Sequence, residues 1–281
     1  MNRALLTGIN NYPGAELSGC INDTLNIKDL LIKDYGWKES DIFLLHNEKA
    51  TKKGIIAALD EVFADVKPPA TCVYSFSGHG AQVPTLDAKG EIDVLDEIIC
   101  PQNFQWTPET MIRDKEVGTY FSKMPHGVTS YVLFDSCFSG DMTREPKGRK
   151  PRAFPVPIRI REQIISAITK LDVCSGFFDV EKRGVISVIR KFLNIKKNAY
   201  GSDTLPVGYI SGCSDSQTSA DTIINGKPCG AFTHYFIKNV RKYKKLPITE
   251  LTKKIVMSLH MNGFFQTPQA EGLFKHNKFL E

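Results

Sequence analysis

Two short apolar runs in this chain each end in a cluster of small residues that carries one reactive side chain. Residues 71–76 (Thr-Cys-Val-Tyr-Ser-Phe) lead into Ser77-Gly78-His79-Gly80, and residues 131–134 (Tyr-Val-Leu-Phe) lead into Asp135-Ser136-Cys137-Phe138-Ser139-Gly140. Apolar runs this short, bounded by turn formers, read as buried strands rather than helices. Residues 3–8 and 41–46 have the same form. Between them, Leu25, Ile27, Leu30 and Leu31 recur at near-helical spacing up to Gly36. After Thr51, a capping residue type, Ile55, Leu59, Val62 and Phe63 follow a helical face. Strand–helix alternation predicts an α/β chain with a mainly parallel central sheet and helices on both faces. Such sheets present their ligands at the carboxyl ends of strands, which is where His79 and Cys137 fall.

Further along, a polar stretch rich in Asp, Glu and Gly is expected to be a loop before Ile98-Ile99-Cys100, and Asp114 is placed to cap a helix carrying Val117, Phe121 and Met124. Residues 207–211 return to strand character, and residues 230–243 and 249–261 read as two amphipathic helices, the second stopping at Gly263. The reading is one domain over 1–281: residues 1–140 with the His and the Cys, a basic and Pro-rich linker with inserted helices over 141–205, and a closing part over 206–281. No apolar stretch reaches the length of a membrane span, and the first residues run straight into a strand without a signal-peptide pattern. Seven scattered cysteines without a C-x-x-C pair suit reduced thiols and a cytoplasmic setting better than a disulfide framework or a structural zinc site.

The net charge of +5 is mild. It concentrates in the linker, where Arg144, Lys147, Arg149, Lys150 and Arg152 stand among prolines. Nucleic-acid binding has only charge in its favour, with no aromatic interleaving or recognised module, and a solvated basic linker is the simpler reading.

His79 and Cys137 lie about 58 positions apart, and parallel neighbouring strands would bring both to one edge of the sheet. A cysteine nucleophile needs an imidazole nearby because the thiolate is the attacking form. Acyl transfer also needs donors for the developing oxyanion, and the backbone N–H groups of Gly80 and Cys137 are the candidates. The bland alternatives are a turn histidine and an inert buried thiol.

These two motifs resemble the paired motifs of metacaspases, although the usual residue after the cysteine there is His and this chain has Phe138. The resemblance extends over nearly the whole chain through residues 17–23 (Leu-Ser-Gly-Cys-Ile-Asn-Asp), 211–221 (Ser-Gly-Cys-Ser-Asp-Ser-Gln-Thr-Ser-Ala-Asp), 230–233 (Gly-Ala-Phe-Thr) and 266–269 (Gln-Thr-Pro-Gln), in the family's order. It implies a caspase-like α/β sandwich and a cysteine endopeptidase that cuts protein or peptide substrates after Arg or Lys. His79 would be the acid/base and Cys137 the nucleophile, with a basic-specific S1 pocket formed by Asp23 and Asp135 and flanked by Cys20 and Ser77. The chemistry needs no cofactor. Calcium activation in the family uses four acidic positions, which here fall on Asp96, Asp114, Lys115 and Arg144. Two cations in that set predict poor calcium binding, unless Asp87, Asp93 and Asp141 compensate, and a Lys115 or Arg144 pair with Asp96 or Asp114 would replace the ion. An Arg/Lys-specific protease with a basic linker also offers itself a substrate, with Arg144, Lys147, Arg149, Lys150 and Arg152 as candidate self-cleavage sites. An uncut surface loop fits the same residues equally well. The rival to an active enzyme is a caspase-like pseudo-protease or interaction module that binds basic segments without cutting. A monomer is favoured, and no membrane partner is expected.

Overall fold

The structure is a computed structural model that describes residues 1–86, 92–137, 149–154, 156–160, 162, 207–214 and 217–280. Its centre is a six-stranded sheet. In chain order the strands are β1 (Arg3–Gly8), β2 (Ile42–His46), β3 (Ala70–Ser77), β7 (Val128–Asp135), β9 (Gly208–Ser211) and β12 (Gln269–Glu271), in spatial order β12-β9-β7-β3-β1-β2. All neighbouring pairs are parallel except β12 with β9.

The apolar runs lack polar/apolar alternation because the sheet is covered on both faces. Leu5, Tyr74, Phe76, Val132 and Phe134 pack on one face against α2 (Lys52–Phe63) and α3 (Asp114–Ser122). Their strand neighbours Ala4, Leu6, Val73, Tyr131 and Leu133 pack on the other face against α1 (Cys20–Tyr35), α4 (Ala231–Lys242) and α5 (Ile248–Met261). The expected helix boundaries hold for local reasons. Gly36 closes α1 at φ 69°, a left-handed backbone that favours glycine. Thr51 Oγ1 accepts from Gly54 N at 3.1 Å to cap α2. At α3 the cap falls one residue earlier than expected, on Arg113, and Asp114 is the first helical residue.

The polar stretch expected to be a loop is instead largely an antiparallel hairpin, β4 (Gly80–Leu86) with β5 (Ile92–Ile99), extended by β6 (Ile112–Arg113). A hairpin of this kind takes its order from ladder bonds and from burial at Ala81, Val83, Ile98 and Ile99, which a polar composition conceals. A second small sheet joins β8 (Lys150–Pro151), β10 (Ala220–Ile224) and β11 (Lys227–Gly230). The helices expected around 164–171 and 185–193 lie outside the described residues. Among the described residues no helix is long and apolar enough to cross a membrane.

Candidate active site

Strand register places the two reactive residues. Ser77 at the end of β3 pairs with Asp135 at the end of β7, and His79 and Cys137 each stand two residues further on. Both are buried.

The His79 ring is held from two sides. Its Nε2 lies 2.6 Å from the Ala15 carbonyl. A carbonyl only accepts, so in the neutral ring Nε2 carries the proton and Nδ1 keeps its lone pair. That Nδ1 is buried without a hydrogen-bond partner among the described residues. Tyr12 braces the same loop: its Oη donates to the Cys100 carbonyl at 2.8 Å and accepts from His79 N at 3.2 Å, and its ring lies 4.7 Å from the imidazole. Burial, opposed by the Ala15 carbonyl and aided by the Arg152 charge, lowers the His79 pKa to about 4. The ring is therefore neutral at physiological pH and able to take a proton. Ala15 and Tyr12 were not legible as site residues, because one acts through its main chain and the other sits in an ordinary turn.

Cys137 Sγ lies 2.6 Å from the Gln217 carbonyl, and Cys137 shares a small buried cluster with Ala153 and Cys213. Cys213 is a hydrogen-bond neighbour of the Cys137 thiol. That bond and burial together push the Cys213 pKa well up, so it is a neutral thiol.

The segment expected to be a solvated linker enters this site. Residues 149–154 run through the cleft as an added strand. Pro151 and Lys150 pair antiparallel with Ala220 and Asp221 of β10, Arg152 N donates to Ser219 O at 2.9 Å, and Phe154 N donates to Gly80 O at 2.8 Å. The Arg152 carbonyl accepts from Gly80 N at 2.9 Å and from Cys137 N at 3.1 Å. These are the two N–H groups expected to form an oxyanion hole.

The Arg152 side chain is 0% exposed. Its Nη1 donates to Ser77 Oγ at 2.6 Å and lies 3.2 Å from Asp135 Oδ2. Its Nη2 donates to Asp23 Oδ2 at 2.7 Å and to Asp221 Oδ1 at 2.9 Å. Three carboxylates thus converge on one guanidinium. This is the compensation a buried charge requires, since desolvating it costs several kcal/mol. Solvation would have kept a lone cation at the surface; the pocket overrides that preference with paired charge.

Of the four residues expected in the pocket, Asp23, Ser77 and Asp135 contact Arg152. Cys20 is buried in the neighbouring apolar cluster, and burial pushes its thiol well up, so it is a neutral wall. Asp221 is the pocket residue that sequence reasoning missed. It lay at the end of a quoted motif, and only the fold brings it to Arg152. Ser18 N and Oγ hold its other oxygen at 2.8 and 2.7 Å. Burial works to raise the Asp221 pKa, but Arg152 and Ser18 outweigh it and the carboxyl stays below its usual range. Burial raises Asp23 to about 7 against the pull of Arg152. Asp135 is fixed by Ser219 Oγ at 2.6 Å, Thr233 N at 3.0 Å and Thr233 Oγ1 at 2.6 Å.

The candidate calcium residues do not form a described ion site. Asp96 is buried and its Oδ2 accepts from Arg113 Nε at 3.1 Å, an ion pair with a cation outside the expected set. No cluster of three or more His, Cys, Asp or Glu among the described residues could hold a metal. Asp87, Asp141, Arg144, Lys147 and Phe138, and the side chains of Asp93 and Lys115, lie outside the described residues.

The profile of the metacaspase, peptidase C14 domain matches residues 2–146. The chain belongs to the metacaspase family. Metacaspase-1 of Schizosaccharomyces pombe is 30% identical over 95% of this chain, and metacaspase-1 of Cryptococcus neoformans is 30% identical over 90%. The chain spans 66% and 58% of the lengths of these two metacaspases. Among solved structures, a protein from Geobacter sulfurreducens superposes with a TM-score of 0.62 at 22% identity, covering 96% of this chain and 92% of that one. Caspase-1 from Spodoptera frugiperda does so with a TM-score of 0.56 at 11% identity, covering 97% and 89%. The metacaspase chain thus has the caspase-like α/β fold.

Proposed function

We propose that this metacaspase is a cysteine endopeptidase that cleaves after Arg, and more slowly after Lys, and that its first substrate is its own Arg152–Ala153 bond. The observation that carries this reading is the seating of Arg152, with its carbonyl on Gly80 N–H and Cys137 N–H and its guanidinium among Asp23, Asp135 and Asp221.

In the proposed chemistry the seated Arg152 carbonyl is the electrophile and His79 and Cys137 act on it as a dyad. His79 Nδ1 takes the Cys137 thiol proton, and the thiolate attacks the Arg152 carbonyl carbon. The negative charge that develops on the carbonyl oxygen is stabilised by the two backbone N–H groups, preorganised where water is excluded. Collapse breaks the C–N bond, and His79 returns the proton to the Ala153 nitrogen as it leaves. Water, deprotonated by His79, then hydrolyses the thioester and frees Cys137. Thiolate and imidazole supply this chemistry without a metal. Whether calcium activates the chain is read from peptide cleavage with added ion and with chelator.

Arg is preferred over Lys because Nη1 and Nη2 spread between Asp135 on one side and Asp23 with Asp221 on the other. A single ammonium cannot span both sides. Of the five basic linker residues considered for self-cleavage, Arg152 is the one proposed. A reducing, cytoplasmic setting fits the six free buried cysteines among the described residues.

Intact-mass measurement of freshly produced protein tests the proposal. Wild type should yield two fragments joined by a cut after Arg152, whereas Cys137→Ala and His79→Ala should remain whole. Identical fragments from wild type and Cys137→Ala would refute self-cleavage. A wild-type chain that stays whole and cuts no Arg peptide would instead mark the cleft as a non-cutting binder of basic strands.

A further inference from the structure

The strand in the cleft makes side-chain contacts well beyond the Arg152 pocket, at two places on either side of it. Four positions apart along the bound strand, counting Arg152 as the first, stands Arg149. Its guanidinium carbon lies 3.9 Å from the centre of the Phe264 ring, and its Nη1 donates to the Gly263 carbonyl at 2.5 Å. Phe264 is buried, so its ring is a fixed platform. Gly263 follows the C-terminus of α5 at φ 75°, where the helix dipole favours a cation. A ring face and a helix-end carbonyl together form a site for a planar cation.

On the other side of the scissile bond, the second residue is Phe154. Its ring is surrounded by Tyr12 at 5.9 Å, His79 at 5.3 Å, Phe104 at 5.1 Å and Trp106 at 6.3 Å, all in edge-to-face geometry. Trp106 is held at φ 60°, a left-handed backbone that a bulky residue rarely adopts and that costs about 1–3 kcal/mol. The strain places its indole against both Phe104, at 5.0 Å, and Phe154. By contrast the intervening Ala153 sits in a tight cluster with Cys137 and Cys213, leaving room only for a small side chain.

Resting on the reading of Arg152 as the cleaved residue, we infer that this cleft has two further specificity subsites: a cation subsite built by Phe264 and Gly263 that takes Arg at P4, and an aromatic cage built by Tyr12, Phe104 and Trp106 that takes a ring at P2′. Its substrates are then extended protein segments with two arginines three residues apart, a small residue after the second and an aromatic residue next. The chain's own Arg149-Lys150-Pro151-Arg152-Ala153-Phe154 is one such segment.

Internally quenched peptides carrying Arg-Lys-Pro-Arg-Ala-Phe, cut by the full-length wild-type chain, test this. Replacing the P4 Arg by Ala, or the P2′ Phe by Ala, should each lower kcat/KM about 5- to 20-fold. The P4 penalty should shrink towards unity in Phe264→Leu, which keeps apolar volume and removes the ring face. The P2′ penalty should shrink in Trp106→Ala. The two losses should be independent of each other, because the subsites lie on opposite sides of the scissile bond. If the parent peptide is cut after its second Arg but both alanine peptides are cut at the parental rate, the subsites are refuted and the Arg152 reading stands. Equal penalties in wild type and in both enzyme variants would also refute these subsite assignments. If the parent peptide is not cut at all, the underlying reading fails and the subsites fail with it.

Discussion

Gly230→Ala is the substitution that probes the seating of Arg152 most directly. Gly230 has φ −73° and ψ 134°, a backbone that any residue adopts, so adding a Cβ brings no conformational strain of its own. The cost is steric. The new carbon would stand 2.1 Å from Asp135 Oδ2, 2.5 Å from Arg152 Nη1 and 2.8 Å from Arg152 Cζ. A carboxylate fixed by Ser219 and Thr233 cannot retreat freely, so the guanidinium has to leave its place. Losing two charge-assisted hydrogen bonds at about 1.5–3 kcal/mol each predicts a fall of roughly 100-fold or more in kcat/KM for Arg peptides. Self-cleavage in the same chain should slow in parallel. The assay is initial-rate cleavage of a P1-Arg peptide, with circular dichroism and thermal melting to show that the variant is folded. A folded Gly230→Ala chain that cuts Arg peptides at the wild-type rate would refute a guanidinium lodged under Gly230, and with it the account of the pocket.

Other outcomes follow from the same contacts. Because burial lowers the His79 pKa from its usual 6.5 to about 4, the stability it contributes is complete above about pH 6.5 and is lost as pH falls towards 4. That loss is on the order of 3 kcal/mol. In the uncut Cys137→Ala background, denaturant titrations should show this acid-side loss, and adding His79→Gln should remove it; identical pH slopes would contradict the buried neutral ring. Tyr12→Phe leaves the Cys100 carbonyl and His79 N–H without their hydroxyl partner, so it should cost about 1–3 kcal/mol of stability and lower kcat more than it changes KM. Asp221→Asn should weaken P1-Arg cleavage at least tenfold, because an amide oxygen kept on Ser18 turns the NH2 group towards the donors of Arg152 and Gly19, as steady-state kinetics would show. Thr51→Ala, at the cap of α2, should lose about 1 kcal/mol in chemical denaturation with peptide cleavage unaltered.

Local chemistry along the chain sufficed for much of this protein. Short apolar runs without alternation, bounded by turn formers, read as strands covered on two faces, and the positions of His79 and Cys137 just past two such runs place them at one sheet edge. Gly36 and Thr51 end and begin helices through φ preference and capping, both of which are properties of single residues. Asp23, Asp135, Cys20 and Ser77 came from the resemblance of the surrounding motifs to the metacaspase family, not from local chemistry. What the sequence could not supply was the company these residues keep. The hairpin of Gly80–Leu86 and Ile92–Ile99 was hidden by its polar composition, since ladder bonding between segments leaves no local mark. Asp221 belongs to the pocket because β10 lies beside the cleft, and Ala15 orients His79 through a carbonyl that every residue has. Most of all, a run of five cations among prolines favours solvent by composition. Burying Arg152 needs three carboxylates, which come from positions 23, 135 and 221. The energy of a paired buried charge depends on that assembled geometry, so only the tertiary structure turns a basic linker residue into an occupant of the candidate active site.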